Sequence, residues 1–175
     1  MKFGVRVHDF GRDDAKILAK KVREFGFESI HLAVKKALPG ISGNIDIKEK
    51  DIENIKEAFK GIEISVLGSY IDFTTDDDEI WKNHRNEFIA AMRISKPLSA
   101  LYIGSESSYG NISMKDKIRL FPKLIERLDD ILNEAYKYDV YVAMEPVAAH
   151  TLYCSEWTGK MIDKLGSDRL KIIFD

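Results

Sequence analysis

Cysteine is almost absent. Cys154 stands alone, so no intrachain disulfide can form and a four-thiolate metal site is excluded. A reducing compartment suits such a chain. A surplus of positive charge is missing too: 27 Lys and Arg face 29 Asp and Glu, for a net charge of −2, with the signs interspersed. That leaves no basic field for nucleic acid and no like-charge block to suggest a tail. No apolar run approaches the ~18 residues a membrane span needs. Met1-Lys2-Phe3-Gly4-Val5-Arg6-Val7-His8 carries charge but lacks the apolar stretch of a signal peptide. A glycine-rich phosphate loop is also lacking. His8-Asp9-Phe10-Gly11-Arg12 comes after the first strand candidate, which removes the commonest dinucleotide reading. The expectation is a cytoplasmic protein with neither nucleic acid nor membrane as partner.

What is present is a well-stocked core. The chain has 175 residues, 45% of them hydrophobic, enough for one buried domain spanning residues 1–175. Strand candidates start near residues 3, 29, 62, 99, 140 and 170, which gives a repeat of roughly 26 to 41 residues. Between them lie five helical stretches. The first runs from Asp13-Asp14 with Ile17, Leu18, Val22 and Phe25 on one face, and Gly26 stops it. The second spans residues 46–60, with Ile52, Ile55 and Phe59 inward. The third opens at Thr74-Thr75-Asp76-Asp77-Asp78. The fourth spans residues 116–138, with a stripe of Ile118, Phe121, Ile125, Leu128, Leu132 and Ala135, and Pro122 is tolerable only near its start. The fifth spans residues 155–165 and ends before Gly166. Residues 98–103 read as strand four, with a polar loop over residues 104–111 after it that contains Glu106. Strict β-then-α alternation requires parallel strands joined by right-handed crossovers.

Two strands carry the chemistry. Tyr141-Val142-Ala143-Met144-Glu145-Pro146 reads as a buried strand with an acid at its end, stopped by a proline that fixes φ and removes a donor. Leu170-Lys171-Ile172-Ile173-Phe174-Asp175 repeats the pattern. In a parallel α/β sheet or barrel, ligands bind at the C-terminal edge. Two hard oxygen ligands there suit a divalent cation or acid/base work. Each acid can also be a plain cap for the loop or helix next to its strand.

A flavodoxin-like open sheet ends on a helix, whereas here the last element is a strand. Eight such units need about 250 residues, so the preferred fold class is a parallel (β/α) TIM barrel, incomplete after about six strands and five helices. A complete doubly wound domain with a carboxylate metal site is the alternative.

Several short pieces resemble the xylose isomerase-like TIM-barrel family of sugar and sugar-phosphate isomerases and epimerases, which also includes endonuclease-four-type DNA repair enzymes. They are Phe3-Gly4-Val5, Gly26-Phe27-Glu28-Ser29-Ile30, Leu67-Gly68-Ser69-Tyr70, Tyr102-Ile103-Gly104-Ser105-Glu106, Met144-Glu145-Pro146 and Ile173-Phe174-Asp175. Their order and spacing span the chain. The resemblance implies that Glu145 and Asp175 are two of four ligands to a divalent metal (Mn, Mg, Co or Zn). The other two, a His on strand seven and a Glu on strand eight, fall beyond Asp175. It also implies proton transfer next to a sugar carbonyl, with Glu145 as one acid/base group and a sugar or sugar phosphate as substrate.

Four further residues are candidate substrate contacts, each with a plainer alternative. Glu106 is either a ligand to a sugar hydroxyl or a solvated loop acid. His150 either reaches the pocket or stabilises its loop. His8, ending strand one, is either a polar contact or a satisfied barrel-mouth histidine. Tyr70, with Trp157, either lines an apolar wall against a sugar ring or simply packs. His31 and His84 read as structural, and Cys154 has no base beside it. Ser69-Tyr70 stands where the DNA-repair branch has a His after strand three, which argues against that branch. A non-catalytic sugar-binding or interaction module on the same scaffold is a second reading. Open strand edges predict association with another copy or membership of a longer polypeptide.

Overall fold

A computed structural model describes residues 2–174. Six strands form one sheet in the order β1-β2-β3-β4-β5-β6. They are β1 (Gly4–Arg6), β2 (Ser29–Leu32), β3 (Glu63–Gly68), β4 (Tyr102–Glu106), β5 (Tyr141–Glu145) and β6 (Leu170–Ile172). The helices are α1 (Ala15–Glu24), α2 (Val34–Ala37), α3 (Glu49–Ala58), α4 (Asp78–Ser95), α5 (Met114–Tyr138) and α6 (Ser155–Leu165). Strand order matches chain order. A doubly wound sheet reverses direction at a switch point, and β1 to β6 do not, so that alternative is set aside.

The chain clusters into two compact units. One comprises the residues up to Ser69 together with Ala90–Ile103; the other comprises Tyr70–Ile89 and the residues from Gly104 onward.

In the first unit, β1, β2 and β3 pair in parallel, with Val5 opposite Ile30 and Ile30 opposite Ile64. Gly4 permits a close approach: a Cβ there would lie 2.4 Å from Ser29 Oγ. Asp14 caps α1 by accepting from the Lys16 amide (2.8 Å), and Gly26 ends it with φ +76°. The buried face of α1 is Ala15, Leu18, Ala19 and Val22. Ile17 and Phe25, expected inside, are 46% and 70% exposed. The small Ala15 and Ala19 occupy the inward turns, and Phe25 packs its ring on Phe10 at 5.4 Å instead. The loop after β2 contains α2 and a 3-10 turn at Asn44–Asp46.

In the second unit, β5 and β6 pair in parallel, with Ala143 opposite Lys171. Phe73, Phe88, Leu124, Leu128, Leu132, Val142, Met144 and Met161 form its core. Asp77 caps α4 by accepting from the Glu79 and Ile80 amides (2.9 and 3.0 Å), so Thr74 and Thr75 precede the helix rather than open it. In α5 the buried stripe is Leu120, Phe121, Leu124, Leu128, Ile131, Leu132 and Ala135. Ile118 is 60% exposed and off that stripe. Pro122 sits inside α5, beyond the first turn where it was expected. Asp139 ends this helix in the left-handed region (φ 54°), and Gly166 does the same for α6.

Strand four is displaced from its expected place at residues 98–103. The amides of Leu98 and Ala100 bond back to Ile94 O (3.2 Å) and Ser95 O (2.9 Å) and close the C-terminus of α4. Leu98 and Ala100 are buried as part of that turn, and β4 begins at Tyr102. Glu106 is therefore the last residue of a strand, not a loop acid.

Candidate functional site

Glu106 and Glu145 are the last residues of β4 and β5, neighbouring strands of the sheet. Their carboxylates therefore belong to the same C-terminal edge. Both side chains are half-buried.

After Pro146 the chain makes a compact turn over residues 147–152. Its own bonds run from the Val147 amide to Leu152 O (2.9 Å) and from the His150 amide to Val147 O (2.8 Å). The β4 loop clamps it from outside. The Thr151 amide donates to Ser108 Oγ (3.0 Å) and the Leu152 amide to Ser107 Oγ (2.8 Å), both buried. Ala149 O accepts from the Ile112 amide (2.8 Å). The buried Lys117 ammonium donates to Ala148 O (2.6 Å) and lies 4.4 Å above the Tyr153 ring.

This turn delivers His150 to Glu106. Nδ1 lies 3.3 Å from Glu106 Oε2. The geometry is not that of a hydrogen bond, and Nδ1 is buried without one. Thr151 Oγ1 is likewise buried without a partner.

The same serine-rich loop also fixes the segment after β3. The Phe73 amide donates to Ser107 O (3.2 Å) and the Ile71 amide to Ser105 Oγ (3.4 Å). Tyr70, half-buried, has its carbonyl held by the Tyr109 hydroxyl (2.7 Å). Half of Tyr109 is exposed, and burial of the rest raises its pKa, helped by Asp72. His84 meets the Asp72 backbone through Nδ1 (3.1 Å to the carbonyl) and the Tyr109 ring edge-on at 5.6 Å. Arg127, buried, donates to Phe73 O (3.1 Å) and Thr75 O (2.8 Å) and stacks on Trp81 at 4.6 Å.

Trp157, half-buried, packs between Phe121 (4.6 Å) and Tyr153 (5.4 Å). Cys154 precedes α6 at its N-cap.

His8 belongs to the other unit. It lies in a 3-10 turn, Val7–Phe10, just past β1 rather than at the strand end. Its ring meets His31 edge-on at 6.2 Å, and its Nδ1 is buried without a hydrogen bond. Burial, then the Lys36 charge, pushes its pKa down.

Among the described residues no three His, Cys, Asp or Glu side chains come together to hold an ion. Glu145 offers a hard carboxylate oxygen and fits a divalent cation as a single ligand. Asp175, its expected partner, lies outside the described residues. No helix among those residues is long and apolar enough to cross a membrane.

A parallel β/α sheet in chain order, with acids at successive strand ends, defines a TIM-barrel class of protein. The family model described as xylose isomerase-like TIM barrel matches residues 19–175, and the chain belongs to that family. No curated protein matches it. Solved structures that share the fold include two epimerases and a zinc-bound protein. A D-psicose 3-epimerase from Clostridium cellulolyticum H10, solved with D-tagatose, is 17% identical, with a TM-score of 0.79 over 98% of this chain and 62% of its own. A 3-keto-D-glucoside 4-epimerase from E. coli is 15% identical, with a TM-score of 0.80 over 98% of this chain and 67% of its own. The IOLI protein, solved with a bound zinc atom, is 17% identical, with a TM-score of 0.79 over 100% of this chain and 63% of its own. The chain thus spans about two thirds of the length of these structures.

Proposed function

We propose that this chain serves a metal-dependent isomerase or epimerase of sugars or sugar phosphates, cytoplasmic, acting by proton transfer next to a carbonyl. The observation that carries it is Glu145, a half-buried carboxylate ending β5 in a chain of this family. Epimerases among the solved structures of the same fold support it. Glu145 and Asp175 are its metal ligands within this chain, and further ligands come from outside the described residues. The bound cation supplies stabilisation of the negative charge that develops on the substrate oxygen. Glu145 takes up or returns the proton at the adjacent carbon. Glu106 and Tyr70 bind the substrate's polar groups, with His150 set beside Glu106.

The test is deuterium exchange in D2O. D-tagatose or D-fructose is incubated with the protein and Mn, Mg, Co or Zn, and label at the carbon beside the carbonyl is read by NMR. Label with at least one metal, lost in Glu145→Gln, is the expected result. No label with any of the four overturns the catalytic reading.

A second reading, sugar binding without turnover, is favoured by the clamped turn that sets His150 against Glu106, since that surface needs no metal to exist. Saturable D-tagatose binding without exchange would select it.

A further inference from the structure

We infer that Glu106 is the ligand-facing group of the β4 edge and that His150 is its positioning residue, holding the carboxylate through a proton on Nδ1. The choice of a sugar as the ligand rests on the functional reading above; the pairing itself rests on geometry.

The two side chains differ in access. Glu106 is 28% exposed and His150 only 10%. A ligand arriving at the sheet edge meets the carboxylate first, with the imidazole behind it. The ring nitrogen facing Glu106 Oε2 at 3.3 Å is Nδ1, and it has no other partner among the described residues. A lone pair set there against a carboxylate oxygen is repulsive, whereas an N–H is attractive. A buried ring nitrogen left unpaired is costly, and a modest rotation of the ring relieves it by aligning Nδ1–H on Oε2.

The turn is built to keep the ring in place. Ser107 and Ser108 hold the amides on its far side, Lys117 holds Ala148 O, and the His150 amide is tied to Val147 O. Among the described residues no Lys or Arg reaches Glu106: Lys117, the buried cation of this turn, spends its charge on a backbone carbonyl and the Tyr153 ring. No internal cation therefore occupies its oxygens. With Oε2 fixed on the ring, Oε1 is available to accept from a neutral hydroxyl. A polyol or sugar hydroxyl fits this, and a phosphate does not.

The pairing is tested without ligand. In 15N-histidine NMR at about pH 8, where an ordinary histidine is neutral, the His150 resonance is assigned by its loss in His150→Gln. The expected signature is a proton on Nδ1, moving to Nε2 in Glu106→Ala. Glu106→Gln, which still offers an oxygen, retains the Nδ1 proton. A ring protonated at Nε2 alone in the unmodified protein, or an Nδ1 proton indifferent to Glu106→Ala, overturns the pairing.

Order of action is tested by D-tagatose titration. Glu106→Ala is expected to weaken binding by about 10-fold or more. His150→Gln weakens it less, and the double variant binds no worse than Glu106→Ala, because the histidine acts through the carboxylate. Additive losses would mean that both residues touch the sugar and would overturn the positioning role. Absence of any D-tagatose binding by the unmodified protein overturns the functional reading above, while the tautomer still decides the pairing.

Discussion

Ser107 is a small residue carrying an outsized share of the site's order. Its hydroxyl is the acceptor for the Leu152 amide at 2.8 Å, and both residues are 0% exposed. In Ser107→Ala that amide loses its partner. The vacated space is one oxygen wide, too small to admit a water, so the N–H remains unpaired. A buried unpaired donor costs about 1–3 kcal/mol. The lost packing of a single atom adds only a few tenths. The bond from the Phe73 amide to Ser107 O is untouched, because it uses the backbone. The expected destabilisation is therefore about 1.5–2.5 kcal/mol, read as a lower urea midpoint at unchanged slope. Hydrogen exchange localises it: the Leu152 amide loses protection ahead of the β5 amides. A change below about 0.5 kcal/mol with Leu152 still protected would refute the clamp, since the amide would then have another acceptor.

Other outcomes rest on the same geometry. Arg127→Met removes two bonds to buried carbonyls and a stack on Trp81. It also removes the burial penalty that lowers the guanidinium's pKa, so the net loss is about 2–4 kcal/mol; Trp fluorescence in urea reports it, and Arg127→Lys should fall between. His8 has a folded pKa held below its unfolded value, so the unfolded chain binds more protons. Its share of stability is full above about pH 6.5 and is lost as pH falls towards the folded pKa. Urea midpoints at pH 5 and pH 8 should therefore differ less in His8→Gln than in the unmodified protein.

Much of the fold is legible because it is periodic. Alternation of short apolar runs with amphipathic stretches located β1, β2, β3, β5 and β6 and the five longer helices. β4 was misplaced because Leu98-Ser99-Ala100-Leu101 is as apolar as a strand. Only the amides of Leu98 and Ala100, turned back onto α4, reveal a helix end. Ile17 and Ile118 were misassigned to buried faces for a related reason. A helical period of apolar residues does not say which edge of the stripe meets the core, and smaller neighbours such as Ala15 and Ala19 took the inward positions. The candidate site shows in the sequence only through its chemically conspicuous residues, namely Glu106, Glu145 and His150. Ser105, Ser107, Ser108 and Lys117 were missed, since a serine-rich loop and a helical lysine carry no sequence signal of the groups they hold.

Those residues explain why the β4 loop governs its neighbours' geometry. A strand-end acid is positioned by its own strand only as far as its Cα. The segments after β3 and after β5 have few backbone partners of their own: each is a short excursion between a strand and the next helix. Ser105 and Ser107 hold the first through Ile71 and Phe73, and Ser107 and Ser108 hold the second through Leu152 and Thr151. Ser107 serves both, with its carbonyl on one side and its hydroxyl on the other. Movement of the β4 loop is therefore transmitted to Tyr70 and to His150 together. Substitution of Ser107 should then shift His150 and Tyr70 chemical shifts in concert, whereas Ser108→Ala and Lys117→Met, which act on the β5 turn alone, should shift His150 and leave Tyr70 unmoved. Independent responses of the two residues to Ser107→Ala would show that the loops are set separately.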